Sequence, residues 1–393
     1  MRILHFSWEY PPVMYGGLGS HVVELSREQV QQGHEVAVIT QQANPHVVER
    51  EVIEGVQVIR ADNFYASVPF DADHLANWAH GFALGSLAAA RAFTRTWRPH
   101  VIHGHDWIAA LQTRSLAADI NVPHVMTFHA TEYGRHNGWL TSALSKIVYA
   151  REMHAIQSTP NIIVCSNYMK AELTNGYAGN PNRMTVIPNG VSTLTGVPAN
   201  GHIEASGISS DIFTIGFIGR VEWEKGVHHI LDALTLLPKD RYRLVIVGTG
   251  SQIPSLRAKI ERKGLCDHVT FLGYVSSQEK TRLLSTFDAV VVPSSYEPFG
   301  IVALEAGAAR VPLVTSSVGG LRDVVPNDSY GYPLDQVDGE SIAAALRSIQ
   351  EFPHQAGEKA SRLAHRVREE FSWTSVVEKT DSLYVTAIEE YGA

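Results

Sequence analysis

Short apolar runs alternate with longer amphipathic segments along most of the chain. At the start, residues 2–8 and 35–40 have the apolar, β-branched character of strands, and residues 20–32 have apolar side chains at helical spacing. The glycine-rich residues 16–19 lie at the first strand-to-helix junction, where backbone amides can approach a diphosphate. This order predicts a βαβ unit, the start of a doubly wound α/β fold with a parallel sheet.

The alternation is interrupted once and then resumes. Residues 192–211 are poor in large apolar side chains and rich in Gly, Ser and Pro, which is typical of a linker. A new apolar run begins at residue 212, and the alternating pattern continues to about residue 372. The sequence therefore predicts two Rossmann-like domains, residues 1–191 and residues 212–372, joined by the linker.

Composition narrows the classes of function. The chain has 393 residues and a formal net charge of −8, which argues against nucleic acid or an anionic membrane as a partner. No apolar run approaches the roughly 18 residues of a membrane span, so we expect no stable membrane insertion. Cys165 and Cys266 are expected to be buried thiols in separate domains. That expectation favours a reducing compartment and a cytoplasmic location.

The most informative stretch is a predicted strand, a loop and a helix in the second half. Glu297 lies in the loop, and Glu305 lies on the helix that begins near Ile301. Carboxylates accept hydrogen bonds from the neighbouring hydroxyls of a sugar or ribose. The amides of Phe299, Gly300 and Ile301 are candidate donors to an anion or hydroxyl oxygen. Taken alone, two glutamates eight residues apart are more often surface charges.

Arg220 and Lys225 lie in an earlier strand-to-helix loop of the second half. Two cations five residues apart are usually surface charges. They also suit a departing nucleoside diphosphate, whose growing negative charge they would stabilise without a metal ion.

The first half offers histidines at predicted strand ends. The segment from His103 to Asp106 has metal-ligand residue types, but no further cluster in the sequence completes a ligand set, so a structural role is expected. His129 ends another predicted strand. The polar and aromatic loop after it offers Tyr133, His136 and Asn137, which are as consistent with an acceptor surface as with an ordinary loop.

The motifs together resemble those of family 4 and family 5 retaining glycosyltransferases, which include glycogen and starch synthases. The E-x7-E pattern of Glu297 and Glu305, the F-x-G-R-x-x-x-E-K-G pattern of residues 217–226 and the Pro-Asn-Gly-Val of residues 188–191 occur in family order. The resemblance implies a GT-B fold, in which two Rossmann-like domains face each other across a cleft. It also implies that residues 373–393 cross back onto the first domain, which carries the acceptor site.

The resemblance implies a role for each residue that matches a family motif. His129 would contact the donor sugar, Glu297 its hydroxyls near C3 and C4, and Glu305 the ribose. Arg220 and Lys225 would hold the diphosphate. The remaining donor-site residues would be Gly17 at the glycine loop, Val275 beside the nucleobase, and Phe299, Gly300 and Ile301 after the first glutamate.

The implied reaction is retaining transfer of a hexosyl group, first of all glucosyl, from ADP- or UDP-sugar to an α-glucan or a small molecule, with no metal or other cofactor. A transferase of secondary or thiol metabolism that uses another donor, such as a GDP-sugar, and a non-catalytic sugar-nucleotide sensor remain as alternatives. Three other enzyme classes are disfavoured because the sequence lacks their features. It shows no identifiable acid/base pair for an epimerase, no pyridoxal lysine motif for a phosphorylase and no G-x-G-x-x-G fingerprint for a dehydrogenase. The sequence leaves the donor base, the acceptor and the oligomeric state open.

Overall fold

The computed structural model describes residues 1–42, 49–65, 67–71, 73–192 and 212–392. Residues 193–211 of the predicted linker lie outside this description. The chain forms two compact units, Met1–Gly190 with Trp373–Ala393 (unit 1) and Val191–Ser372 (unit 2). Within the described ranges, no helix is both long and apolar enough to cross a membrane.

Unit 1 is a doubly wound α/β domain. Its elements before the chain enters unit 2 are β1 (Arg2–Phe6), α1 (Gly17–Gln31), β2 (Glu35–Gln41), β3 (Arg50–Ile53), β4 (Val56–Ala61), α2 (Leu75–Phe93), β5 (Val101–His105), α3 (Asp106–Ile120), β6 (His124–Phe128), α4 (Glu132–Arg135), α5 (Ala143–Ser158), β7 (Asn161–Val164), α6 (Asn167–Tyr177) and β8 (Met184–Val186). The sheet order is β3-β4-β2-β1-β5-β6-β7-β8, and β3 pairs antiparallel with β4 while the other pairings are parallel. Strand order therefore reverses at β1 and β5, the position where such sheets bind ligands.

Unit 2 is a second doubly wound domain with an all-parallel described sheet. Its elements are β9 (Phe213–Ile218), α7 (Val227–Leu234), β10 (Tyr242–Val247), α8 (Ile253–Lys263), β11 (Val269–Gly273), α9 (Ser277–Leu284), β12 (Ala289–Val292), α10 (Ile301–Ala308), β13 (Leu313–Ser316), α11 (Leu321–Val324), β14 (Tyr332–Leu334), α12 (Gly339–Glu351) and α13 (Pro353–Glu370). The order β11-β10-β9-β12-β13-β14 reverses at β9 and β12. Two Rossmann-like domains confirm the predicted fold class.

The last helix, α14 (Trp373–Gly392), belongs to unit 1. Its apolar face packs in one core with Ile3 of β1, Leu25 of α1 and Val101 of β5. Its Tyr384 is fully buried, and the ring hydroxyl lies among the polar groups of that core.

Two details of the sequence interpretation need correction. Helix α1 begins at Gly17 rather than at Ser20, so the glycine-rich segment forms the first turn of the helix instead of a loop before it. Cys165 is buried in unit 1, as expected, whereas Cys266 of unit 2 is exposed because it lies in a short 3-10 turn before edge strand β11.

Candidate functional site

The loop after β9 carries Arg220 and Lys225 to the carboxyl end of the unit 2 sheet. Gly226 ends this loop with φ of +71°, and a Cβ added there would lie 2.1 Å from the carbonyl oxygen of Pro293. Only glycine allows so close an approach. The backbone is therefore held against the end of β12. Ser295 reinforces the contact by donating its amide hydrogen to the backbone carbonyl oxygen of Glu224 at 2.8 Å.

Lys225 and Glu297 form the centre of the unit 2 site. The Lys225 Nζ lies 2.8 Å from Glu297 Oε2, and the Ser294 hydroxyl donates to the same oxygen at 3.2 Å. Both side chains of the pair are mostly buried, with 17% and 15% exposed. The two residues are 72 positions apart in sequence, and they meet because β9 and β12 are neighbours where the strand order reverses.

Arg220 lies on the same loop but is not part of that pair. Its guanidinium is half exposed and forms an ion pair of 3.1 Å with Glu224. Such an exposed pair contributes little stability, so an incoming anion can replace the carboxylate at low cost.

The segment after Glu297 offers backbone groups to a ligand. Helix α10 begins after Gly300, whose φ is +105°, and has no side-chain cap, which leaves amides of Ile301 and the following residue open. The amide of Gly320 donates to the backbone carbonyl oxygen of Glu297 at 2.9 Å and fixes the loop. Phe299 is only 2% exposed and packs against Phe371, so its side chain serves the core and only its backbone can contact a ligand.

Glu305 faces an unexpected partner. The Nζ of Lys280, on α9, lies 2.5 Å from Glu305 Oε1, while Oε2 is buried and has no hydrogen-bond partner in the described part of the chain. A buried acceptor without a partner costs free energy, which a ligand hydroxyl would recover. Val275, predicted beside the nucleobase, is half-buried just after β11, and its neighbour Tyr274 is 74% exposed. Sequence reasoning missed Lys280 because nothing local marks it.

In unit 1, Gly17 is exposed at the start of α1, which also lacks a side-chain cap. The turn before it is fixed by Glu9, whose Oε2 accepts hydrogen bonds from the amides of Tyr15 at 2.8 Å and Gly16 at 2.9 Å. A Cβ added at Gly19 would lie 2.9 Å from that carboxylate, so the small residue lets the turn close. The first helical turn can therefore present its amides to an anion.

His129 follows β6 and joins a cluster of histidines. Its amide donates to Asp106 Oδ1 at 2.7 Å, and burial raises the pKa of Asp106 to about 7. The His21 ring packs edge-to-face on the His129 ring, with centroids 4.7 Å apart. The expectation that nothing would join the histidines at positions 103 and 105 is wrong, because the fold gathers the histidines at positions 5, 21, 103, 105 and 129.

Two groups of three in this cluster bring ring nitrogens within 4.8 Å of one another, which is the spacing of a metal site. Hydrogen bonds already account for most of these nitrogens. The His103 ring, for example, bonds Tyr384 through Nδ1 at 2.6 Å and Thr127 through Nε2 at 2.7 Å. Both ring nitrogens of His103 are therefore used in a buried hydrogen-bond network, and the geometry of the cluster alone does not require an ion.

The predicted acceptor residues lie on α4 and the turn after it. Helix α4 is held by Glu152, whose carboxylate accepts the amide hydrogen of Glu132 at 3.1 Å and the hydroxyl hydrogen of Tyr177, and burial raises the pKa of Glu152 to about 8. The Tyr133 ring packs near Tyr149 and Tyr177 and is half-buried. This packing explains its presence without a ligand.

The rest of that loop is open to solvent. His136 and Asn137 are exposed, and the His136 Nε2 lies 3.0 Å from Glu132 Oε1. Trp139 is 76% exposed, so the face of its ring is accessible for stacking on a ligand. The sequence interpretation did not select Trp139, although an aromatic residue in a polar loop was a usable signal.

Comparison with known proteins gives a consistent result. Residues 15–193 match the family model Glycosyltransferase Family 4, and residues 201–370 match the model Glycosyl transferases group 1. The chain is 38% identical over 402 residues to a glycogen synthase of Mycobacterium tuberculosis, and the match covers 98% of this chain and 95% of the relative. It is 29% identical to an alpha-maltose-1-phosphate synthase of Mycolicibacterium smegmatis, over 98% of this chain and 99% of the relative.

The fold has close solved counterparts. A sucrose-phosphate synthase from Thermosynechococcus elongatus superposes with a TM-score of 0.85 at 22% identity and covers 99% of both chains.

Proposed function

The chain belongs to glycosyltransferase family 4, with the GT-B fold and the nucleotide-sugar-dependent retaining chemistry of that family. From that membership we propose that it transfers a glucosyl group from ADP-glucose or UDP-glucose to a hydroxyl of an α-glucan. The observation that carries the proposal is the Lys225–Glu297 pair at the reversal point of the unit 2 sheet. It joins a cation for a diphosphate to a carboxylate for sugar hydroxyls.

The cations act on the leaving group. As the bond between the sugar C1 and the diphosphate oxygen breaks, negative charge grows on that oxygen. Lys225 and Arg220 stabilise the charge, and the diphosphate replaces the Glu224 carboxylate as the partner of Arg220. The acceptor oxygen bonds to C1 on the face that the diphosphate leaves, and the acceptor proton passes to the leaving phosphate oxygen. The products are an extended acceptor with retained configuration and a nucleoside diphosphate.

The carboxylates orient the donor. Glu297 accepts hydrogen bonds from sugar hydroxyls, and its ion pair with Lys225 holds the carboxylate in place. Glu305 is already held on one oxygen by Lys280, and its buried Oε2 accepts a ribose hydroxyl. The open amides after Gly300 and at Gly17 bind phosphate or hydroxyl oxygens.

The names of two relatives suggest two candidate acceptors. One is named for glycogen, and the other is named for a disaccharide phosphate. An exposed tryptophan beside His136 and Asn137 supports a sugar chain, because aromatic rings stack on sugar faces. A glucosyl phosphate acceptor is the second candidate.

We further propose that the reaction requires no metal ion, because Arg220 and Lys225 supply the positive charge that a metal would otherwise supply. Transfer should then persist in excess EDTA. A cytoplasmic location also remains a proposal, consistent with the placement of Cys165 and Cys266 in different units.

The decisive experiment offers ADP-, UDP- and GDP-glucose with either glycogen or glucose 1-phosphate. Release of one nucleoside diphosphate together with extension of glycogen supports the proposal, and extension of glucose 1-phosphate alone supports the second candidate. Thermal shifts with the same nucleotides and with NAD identify a binding protein that does not transfer. Binding without any transfer would favour a sensor and overturn the proposed reaction.

A further inference from the structure

A chain of hydrogen bonds leads from helix α1 to His129 through the interior of unit 1. Gln29 Oε1 lies 2.8 Å from His5 Nε2, and His5 Nδ1 lies 3.1 Å from His105 Nε2. His105 Nδ1 then lies 3.2 Å from His129 Nε2. Gln29, His5 and His105 are completely buried, whereas His129, the last residue in this series of hydrogen bonds, is half-buried.

The imidazoles of this chain are neutral at pH 7. Burial lowers the pKa of His5 to about 4 and holds the pKa values of His105 and His129 well below the usual range. A neutral imidazole has one N–H and one nitrogen that accepts. If one nitrogen of a ring donates a hydrogen bond, the other nitrogen of the same ring must accept one. All the hydrogen bonds from Gln29 to His129 therefore have to point in the same direction.

The direction is set by Gln29. Its carbonyl oxygen can only accept, so His5 donates from Nε2 and accepts on Nδ1. His105 must then donate from Nε2 and accept on Nδ1, and His129 must donate from Nε2. The orientation of the Gln29 amide is supported at its other end, where Nε2 donates to the Tyr384 hydroxyl at 3.4 Å and leaves Oε1 to face His5.

We propose that Gln29, His5 and His105 are positioning residues that hold His129 in the tautomer with its proton on Nε2. The Nδ1 lone pair is then permanently available, and it accepts a hydrogen bond from a hydroxyl of the bound sugar. The inference rests on the proposed function for the identity of that ligand. The tautomer itself does not depend on the ligand, because buried protein groups fix it.

His103 offers a matched control. It lies on the same strand as His105, it is equally buried, and both of its ring nitrogens have hydrogen-bond partners. None of the hydrogen bonds between Gln29 and His129 passes through it. A change at His103 perturbs the core to a comparable degree without breaking the chain.

The test reads the tautomer directly. In full-length protein labelled with 15N at histidine, the side-chain shifts of His129 should show a protonated Nε2 and an unprotonated Nδ1. His105→Leu should give a mixture of His129 tautomers and lower kcat about tenfold, while the dissociation constants for ADP and UDP stay within about twofold. His105→Gln can donate and accept in place of the ring, and it should restore the single tautomer and most of kcat. His103→Gln should leave the tautomer unchanged.

Several outcomes would overturn the inference. They are a proton on Nδ1 of His129 in the unaltered protein, a tautomer that survives His105→Leu, or one metal ion per chain in protein purified without added metal, since an ion would take the nitrogens of the chain. The NMR result stands whether or not the protein transfers glucose, so a failure of the proposed function and a failure of this inference remain distinguishable.

Discussion

The two units place opposite kinds of chemistry at the same position in their sheets. In unit 1 the strands at the reversal point, β1 and β5, carry neutral histidines in a buried network. In unit 2 the corresponding strands, β9 and β12, lead into loops with Lys225 and Glu297, an ion pair that is mostly but not completely buried.

The difference matches the charge of what each unit is proposed to bind. A diphosphate requires positive charge, and unit 2 supplies Lys225 and Arg220, the second of which can exchange its partner Glu224 for a phosphate. A sugar hydroxyl is neutral, and it is best oriented by a fixed acceptor such as the His129 ring in unit 1. The positive charge of unit 2 and the direction of hydrogen bonding in unit 1 are therefore separate properties. A substitution in one unit should change one of them without changing the other.

The largest expected effect comes from removing a positive charge in unit 2. Lys225→Ala removes the cation that we propose stabilises the leaving group, and kcat should fall by about 10²–10³-fold. Lys259→Ala is the control, because Lys259 is a similarly buried lysine of unit 2 whose Nζ lies 2.7 Å from a carboxylate, that of Asp232. It should retain most of the activity. Initial rates with saturating donor distinguish the variants, and near-normal rates for Lys225→Ala would refute the assigned site.

The fold and the unit 2 site could be predicted from the sequence, because both follow from local patterns of strands and helices. The alternation of strands and helices predicted two Rossmann-like domains, and the structure and its relatives confirm that fold and the glycosyltransferase family. In unit 2 each candidate residue follows a recognisable strand, so sequence order and the rule for parallel sheets suffice to bring Lys225 and Glu297 to one edge.

The unit 1 network could not be predicted in that way. Its histidines at positions 5, 105 and 129 and the glutamine at position 29 are scattered over more than a hundred positions. The histidines meet because β5 pairs with β1 on one side and with β6 on the other. Lys280 escaped notice for the same reason, since its partner Glu305 is on another helix. Local patterns identify elements, whereas contacts between side chains on different elements require the packed fold.

The next largest expected effect is a difference between the two units in how folding stability depends on pH. The buried histidines of unit 1 have lowered pKa values in the folded state against 6.5 unfolded, so the unfolded chain takes up protons first as the pH falls. Each histidine then costs unit 1 up to about 2 kcal/mol of folding stability at pH 5, from 1.36 kcal/mol for each pH unit. In unit 2, burial lowers the pKa values of only two described histidines, His228 and His229. Proteolysis at pH 7 and pH 5, with fragments assigned by mass spectrometry, should show unit 1 opening first on acidification.

Two carboxyl groups of unit 1 act in the opposite direction and limit the effect. Burial raises the pKa of Asp106 to about 7 and that of Glu152 to about 8, so their protonated forms favour the fold and stability is lost as the pH rises through that range. The stability of unit 1 should therefore be greatest near neutral pH. His5→Gln should reduce the loss at pH 5, and a greater acid sensitivity of unit 2 would contradict this account.

The ribose contact of unit 2 is a smaller test. Glu305→Gln keeps the shape of the side chain but removes the charge that pairs with Lys280 and that we propose binds a ribose hydroxyl. The dissociation constant of the nucleoside diphosphate should rise about tenfold, the value of one hydrogen bond to a charged group. Calorimetry with 2′- and 3′-deoxynucleotides provides the control, because the variant should lose little further affinity for the analogue that lacks the contacted hydroxyl. Equal losses for every analogue would exclude a ribose contact.

The smallest effect concerns the neutral acceptor side, and the chain offers one exposed tryptophan in each unit to test it. Trp139 of unit 1 is 76% exposed in the predicted acceptor loop, whereas Trp223 of unit 2 is 65% exposed and stacks on His228 at 4.2 Å. Trp139→Ala should raise KM for glycogen about three- to fivefold, as the loss of one stacking contact predicts, with little change in kcat. Trp223→Ala should leave KM unchanged. If the two substitutions raise KM equally, exposed aromatic surface in general binds the glucan, and the division of roles between the units fails for the acceptor while it still holds for the diphosphate.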